Sequence, residues 1–135
     1  VIVAADQNCE QMLRDVDRVG REAHRAGYER ATELTRKGFA EPGLRLIKGL
    51  AGQQQKLQAE ADSPAFEAYA GSFDPIIVLG EQWLQAQRTN QFGRVARLQE
   101  LLTNLGLEQQ ELARRAGLEK CSVDFLNAMV RSATS

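Results

Sequence analysis

At 135 residues the chain is one domain, spanning 1–135, with length enough to bury a core without structural metal. Lys+Arg 17 against Asp+Glu 18 leaves a net charge of -1, so no basic field draws in nucleic acid and no polybasic run points to an anionic membrane surface. The longest uninterrupted apolar run, Ile76-Ile77-Val78-Leu79, is far too short for a membrane span, and aromatic content of 6% with 3 prolines fits a helical bundle better than a β-sandwich.

The spacing predicts a first helix from about Asp6 to Lys37. Cys9, Met12, Val16, Val19, Ala23 and Ala26 step by three and four along one face, and the stripe continues through Gly27, Ala31 and Leu34. Arg14, Asp15, Asp17, Arg18, Arg21 and Glu22 form the solvated face. Gly20 and Gly27 each weaken a helix by roughly 1 kcal/mol relative to Ala, unless they mark close approach of a neighbour. Gly38 is a natural stop.

Glu41-Pro42-Gly43 breaks the chain, and a second helix to about Ala61 follows with Leu44, Ile47, Leu50, Ala51 and Leu57 inward. Asp62-Ser63-Pro64 is a start signal: a capping side chain, then proline in the first turn. Asp74-Pro75 repeats it, so the third helix is read as broken, a short piece at 64–72 before a longer one at 75–88. The second piece is apolar nearly all round, which predicts the most buried helix of the domain. Glu81, embedded in it, is expected partly buried against an arginine of the first or fourth helix.

Thr89-Asn90 reads as the cap of a fourth helix over 90–116. Its stripe runs from Phe92 through Leu98, Leu102 and Leu105 to Leu112, with an interruption at Gly106. Ala116-Gly117-Leu118 is a stop with an apolar residue beyond it. The core thus covers 6–121. The extension 122–135 holds a short amphipathic set, Val123, Phe125, Leu126, Met129 and Val130, free to dock on its own bundle or on another subunit.

These elements predict an all-α, up-down-up-down four-helix bundle with a Pro-broken third helix and a short C-terminal helix. Alternation returns the end of the fourth helix to the pole where the first begins, bringing Cys9 and Cys121 together. The pair reads as a structural disulfide of an oxidising compartment, secreted or attached to the cell envelope. Two free buried thiols in a cytosolic protein are the reading left open. A redox pair is disfavoured, since no Cys-x-x-Cys spacing exists.

Catalytic chemistry finds little support. His24 is the single histidine, too few for a di-iron or zinc site, and no nucleophile elbow or glycine-rich phosphate loop is present. No cofactor, metal or catalytic residue is assigned. Arg94, Arg97, Arg114 and Arg115 read as surface charge, and carboxylates such as Asp15, Asp17, Glu22 and Glu111 as members of solvated ion pairs. Phe66, Tyr69, Phe73, Trp83 and Phe92 cluster around the third helix, where they either pack the core or line a small apolar pocket.

Cys9 early in an amphipathic first helix, Pro64 and Pro75 opening the middle helices, and Ala116-Gly117-Leu118-Glu119-Lys120-Cys121 after the last long one resemble small exported helical-bundle proteins and lipoproteins of actinobacteria and related bacteria, of unknown function. The resemblance covers about residues 6–122 and implies a cysteine staple. Ser122 and the tail to Ser135 depart from it. The start Val1-Ile2-Val3-Ala4-Ala5, without methionine, is read as a mature terminus after signal removal, with a lipid anchor upstream of residue 1 as one form, or as an arbitrary boundary. The expected function is non-enzymatic binding or interaction at the cell envelope, with an unknown protein or a small apolar ligand as partner. The alternatives are a small-molecule or lipid-binding bundle with a pocket by the third helix, and a cytosolic all-α regulatory module or enzyme with incidental cysteines.

Overall fold

A computed structural model describes residues 1–27 and 40–134. The described chain is all-α: α1 Ile2–Arg25, α2 Ala40–Gln58, α3 Pro64–Gly71, α4 Phe73–Arg88, α5 Phe92–Arg115 and α6 Phe125–Thr134. Helices α3 and α4 are the two halves of the bent third helix, and α6 is the short C-terminal one. Cys9 and Cys121 are bonded, with their Cα atoms 5.2 Å apart, so the start of α1 lies beside the segment that follows α5.

The stripe of α1 turns inward as its spacing predicts. Ala5, Cys9, Met12, Val16, Val19, Gly20 and Ala23 are buried, while Ala26 is exposed. The helix ends twelve residues before the predicted Lys37, a difference counted between Arg25 and Lys37. Gly27 adopts φ 84, and its N–H returns to the His24 carbonyl at 3.1 Å. Propensity along the stripe loses to this left-handed stop. The expected continuation through Ala31 and Leu34 lies outside the described residues.

The bend in the third helix falls at Ser72. The Ser63 hydroxyl accepts from the Phe66 N–H at 3.3 Å, capping α3, a contact worth about 1 kcal/mol. Pro75 is then the third residue of α4, within the first turn where its missing donor is not needed. The burial expected of 75–88 is found instead in α3, where Phe66, Tyr69 and Ala70 are at most 1% exposed. In α4 only Phe73 and Ala86 are buried, and Val78 is 54% exposed. The reason is position: α4 packs on α2 and α5 and keeps an open outer face. Glu81 accordingly sits in solvent, paired with Lys48 of α2 at 2.7 Å rather than with an arginine.

Asn90 closes α4 rather than capping α5. It takes φ 56, and the following Gln91 N–H reaches the Ala86 carbonyl at 2.9 Å. Helix α5 then runs unbroken through Gly106. At its end Gly117, φ 83, donates to Arg114 and Leu118 donates to Ala113 at 2.9 Å, the paired bonds of a Schellman stop. That turn drives Leu118 to 1% exposure and carries the chain back to Cys121.

The C-terminal extension docks on its own bundle, chiefly along α1. Gly20 makes this possible: a Cβ there would lie 2.5 Å from the Met129 carbonyl oxygen and 2.7 Å from the Ser132 Cβ. Close backbone approach buries Met129 and Ala133. Ser132 donates to Asp17 at 2.5 Å, and the His24 Nδ1–H donates to the Ala133 carbonyl at 2.8 Å. The lone histidine therefore ties two helices together.

Candidate functional site

Two places in the fold gather unusual chemistry, and they differ in access. The first surrounds the disulfide. Gln54 of α2 is fully buried. Its Nε2 donates to the Ala5 carbonyl and to the Tyr69 hydroxyl, both at 3.0 Å, and its Oε1 accepts from Asn8 at 3.1 Å. Both sulfurs lie nearby, Cys9 Sγ at 3.4 Å and Cys121 Sγ at 3.6 Å. The bonded Cys9 sulfur carries no proton, so the Tyr69 hydroxyl is the donor across their 3.5 Å contact. Burial pushes the Tyr69 hydroxyl well above its usual value, outweighing the opposing hydrogen bond from Gln54. Sealed from solvent, this cluster positions the crosslink and offers no surface for a substrate.

Three of the five aromatics singled out by sequence belong to that sealed core. Phe66 and Tyr69 meet edge to face with centroids 5.8 Å apart, and Tyr69 meets Phe73 at 5.5 Å. Phe92, at the first position of α5, is 54% exposed. Trp83 alone of the five lines the second place, an open groove of about 260 Å³.

The groove runs between α2, α4 and α5 and is closed at one side by the start of α6. Leu44 and Ile47 come from α2, Ile76 and Trp83 from α4, Leu102 from α5, and Met129 from α6. Three glycines lie on its lining, and one of them opens space. Gly80 lets Leu44 come within 3.0 Å of where a Cβ would be, so α2 and α4 close the floor. Gly43 faces the Met129 Cε, 3.7 Å from its own would-be Cβ. At Gly106 an added Cβ would meet nothing within 4 Å, so this stretch of α5 is recessed.

The wall is mostly apolar, with Gln99, Thr103, Gln109, Gln110 and Asp124 as its polar side chains besides Trp83. The Trp83 indole N–H is buried and, among the described residues, is the one buried side-chain polar atom without a partner. An unmatched buried donor costs about 1–3 kcal/mol. Gln109 is occupied, its Nε2 donating to the Ser72 hydroxyl at 2.9 Å. The charged lining residue is Asp124, whose carboxylate accepts from the Asn127 backbone N–H at 3.0 Å and from its Nδ2 at 2.8 Å.

Beside the groove, on the outer seam of α2 and α4, the ion pairs Lys48–Glu81 and Arg88–Glu41 zip the two helices at 2.7 and 2.6 Å. Other carboxylates also sit in exposed pairs, Asp15 with Arg18 and Asp17 with Arg21. Among the described residues no group of three or more His, Cys, Asp or Glu could hold a metal ion, and no helix is long and apolar enough to cross a membrane. The disulfide hints at an oxidising, extracytoplasmic compartment.

Leu44, Ile47 and Leu102 were readable as inward-facing from periodicity, whereas Ile76 belonged to a piece apolar nearly all round with no face assigned. That these residues leave a gap was not readable, because the recess at Gly106 and the spacing of α2, α4 and α5 are set by packing between helices distant in sequence. Met129 reaches the wall only through the crossing at Gly20. Compared with family models, with curated proteins and with solved structures, the chain matches none.

Proposed function

We propose that this is an exported, non-enzymatic binding bundle of the cell envelope, whose groove takes one small apolar molecule. The resemblance of its layout to small exported helical proteins and lipoproteins of actinobacteria supports that placement, together with the Cys9–Cys121 disulfide. The observation that carries the binding reading is the groove of about 260 Å³ walled by Leu44, Ile47, Ile76, Trp83 and Leu102. Bundle interiors and clefts of this kind are where small ligands lodge, and apolar walls with few polar groups favour apolar guests. A dry engineered cavity of about 150 Å³ takes benzene. By proportion, this groove suits a molecule of about ten non-hydrogen atoms.

Trp83 is the only tryptophan, so its emission reports on the groove directly. Titration with n-butylbenzene, which has ten carbons, is expected to shift that emission saturably at one equivalent. Gly106→Leu places a side chain in the recess while improving helix propensity by about 1 kcal/mol. That variant should fold and no longer respond. A wild-type protein that shows no saturable change removes the proposal, as does a folded Gly106→Leu variant that binds undiminished.

A further inference from the structure

We infer that the groove's ligand is uncharged and carries one hydrogen-bond acceptor of carbonyl type, which the Trp83 indole N–H reads. This rests on the binding reading above and specifies its chemistry. Trp83 lies on the groove wall, yet its donor is shut away from water and has no partner among the described residues. Native interiors rarely leave such a donor unmatched, and an orphan beside a cleft marks where a ligand atom completes the pairing. An indole N–H can only donate, so the missing group is an acceptor. Reaching it requires the lining around Trp83 to give slightly, and that lining includes the flexible thioethers of Met12 and Met129.

Charge narrows the class. Asp124 puts a carboxylate on the lining, and its two bonds from Asn127 fix its position there. An anionic head group entering an apolar cleft would lose its hydration and meet a like charge. A cationic ammonium has no lone pair for the indole. A neutral ketone, aldehyde or ester on a hydrocarbon frame of about ten atoms satisfies volume, polarity and the orphan donor together.

Three probes share one frame and separate these terms: n-butylbenzene, butyrophenone (the same skeleton with a carbonyl in place of one methylene) and 4-phenylbutanoate. Wild type and Trp83→Phe are titrated by ligand-observed NMR. The single indole N–H resonance of the wild type is followed in parallel, so a poorly folding variant does not leave the question open. Butyrophenone is expected to move the indole proton downfield, and n-butylbenzene to leave it nearly in place. Trp83→Phe is expected to weaken butyrophenone binding by about 3–10-fold, the worth of one hydrogen bond, with n-butylbenzene changed less than about twofold. At pH 7 the carboxylate probe should bind at least about tenfold more weakly than the ketone. If both neutral probes bind but shift the indole equally and lose equally in Trp83→Phe, the acceptor assignment fails while the groove stands. Carboxylate binding as tight as the ketone's overturns the uncharged class. If none of the probes binds wild type, the binding reading falls with it.

Discussion

Replacing Gln54 with leucine tests whether the core beside the crosslink is held by a completed polar network. Leucine keeps most of the volume and removes three bonds: those to the Ala5 carbonyl and the Tyr69 hydroxyl, both at 3.0 Å, and the one from Asn8 at 3.1 Å. Asn8 is only half-buried and turns to water, and the Ala5 carbonyl keeps its place in the α1 ladder. The Tyr69 hydroxyl, 1% exposed, loses its donor and has no water to replace it. One net hydrogen bond plus one buried hydroxyl oxygen left without a donor, its proton still on the Cys9 sulfur, sums to about 2–3 kcal/mol. Tyr69→Phe alone leaves an amide hydrogen of Gln54 facing only sulfur and should cost about 1–2 kcal/mol. With both changes neither unpaired group exists, so the double variant should cost about 2 kcal/mol, leaving a coupling of about 1–3 kcal/mol. A 135-residue domain has an unfolding entropy near 0.28 kcal/mol/K, so each kcal/mol lowers Tm by about 3–4 °C. Urea denaturation followed by far-UV circular dichroism measures the cycle, provided the slope with denaturant is unchanged. A double variant whose cost equals the sum of the singles within about 0.5 kcal/mol refutes the network.

Tyr69 also sets an alkaline limit. Its folded-state pKa lies above the unfolded value near 10, so the stabilisation is complete below pH 10 and declines as pH rises beyond it, where the unfolded chain ionises first. Stability against pH should fall less steeply above pH 10 in Tyr69→Phe; an unchanged slope excludes Tyr69 as its source. Removing the crosslink as Cys9→Ala with Cys121→Ala frees a loop with a sequence separation of 112, which loop-closure entropy values at about 5 kcal/mol. Against a total stability of about 5–15 kcal/mol this variant should be marginal in urea, and a loss under about 1 kcal/mol would contradict the entropic account. Gly20→Val forces α6 away from the Met129 carbonyl that a Cβ would meet at 2.5 Å. It should cost about 1–3 kcal/mol and open the C-terminal segment to proteases, with retained protection telling against the crossing.

The stripe of α1, the cap at Ser63 and the stop at Gly117 were all legible because each depends on a few neighbouring residues and a fixed period. The cysteine pairing was legible at one remove, since alternating helices bring positions 9 and 121 to one pole. Gln54 was not. A glutamine within Gln53-Gln54-Gln55 gives no local sign that one of the three is wholly buried, and only the meeting of α1, α2 and α3 supplies its partners. Helix α4 misled for the opposite reason. Its apolar residues suggested burial on all sides, yet several line a groove or face solvent, because composition records what a helix could bury and not how many neighbours it receives. The aromatics divided likewise: ring type marks large contact area, while the packing of neighbouring helices decides which ring is sealed and which borders the groove.

Crosslink and groove are linked through the C-terminal segment. Cys121 lies two residues before Val123 and four before Phe125, both on the groove lining, and Met129 follows one helical turn later. The bond fixes one end of this stretch against α1, and the Gly20 crossing, with Ser132 on Asp17 and His24 on the Ala133 carbonyl, fixes the other. A ten-residue helix is too short to persist alone in water, so α6 exists only where both ends hold it against α1. The wall it contributes to the groove is therefore only as rigid as the staple. On the binding role proposed above, the disulfide would serve more than stability: it would pre-form a site whose fourth side is otherwise a loose tail, lowering the ordering cost that a small ligand of about ten atoms could not itself offset.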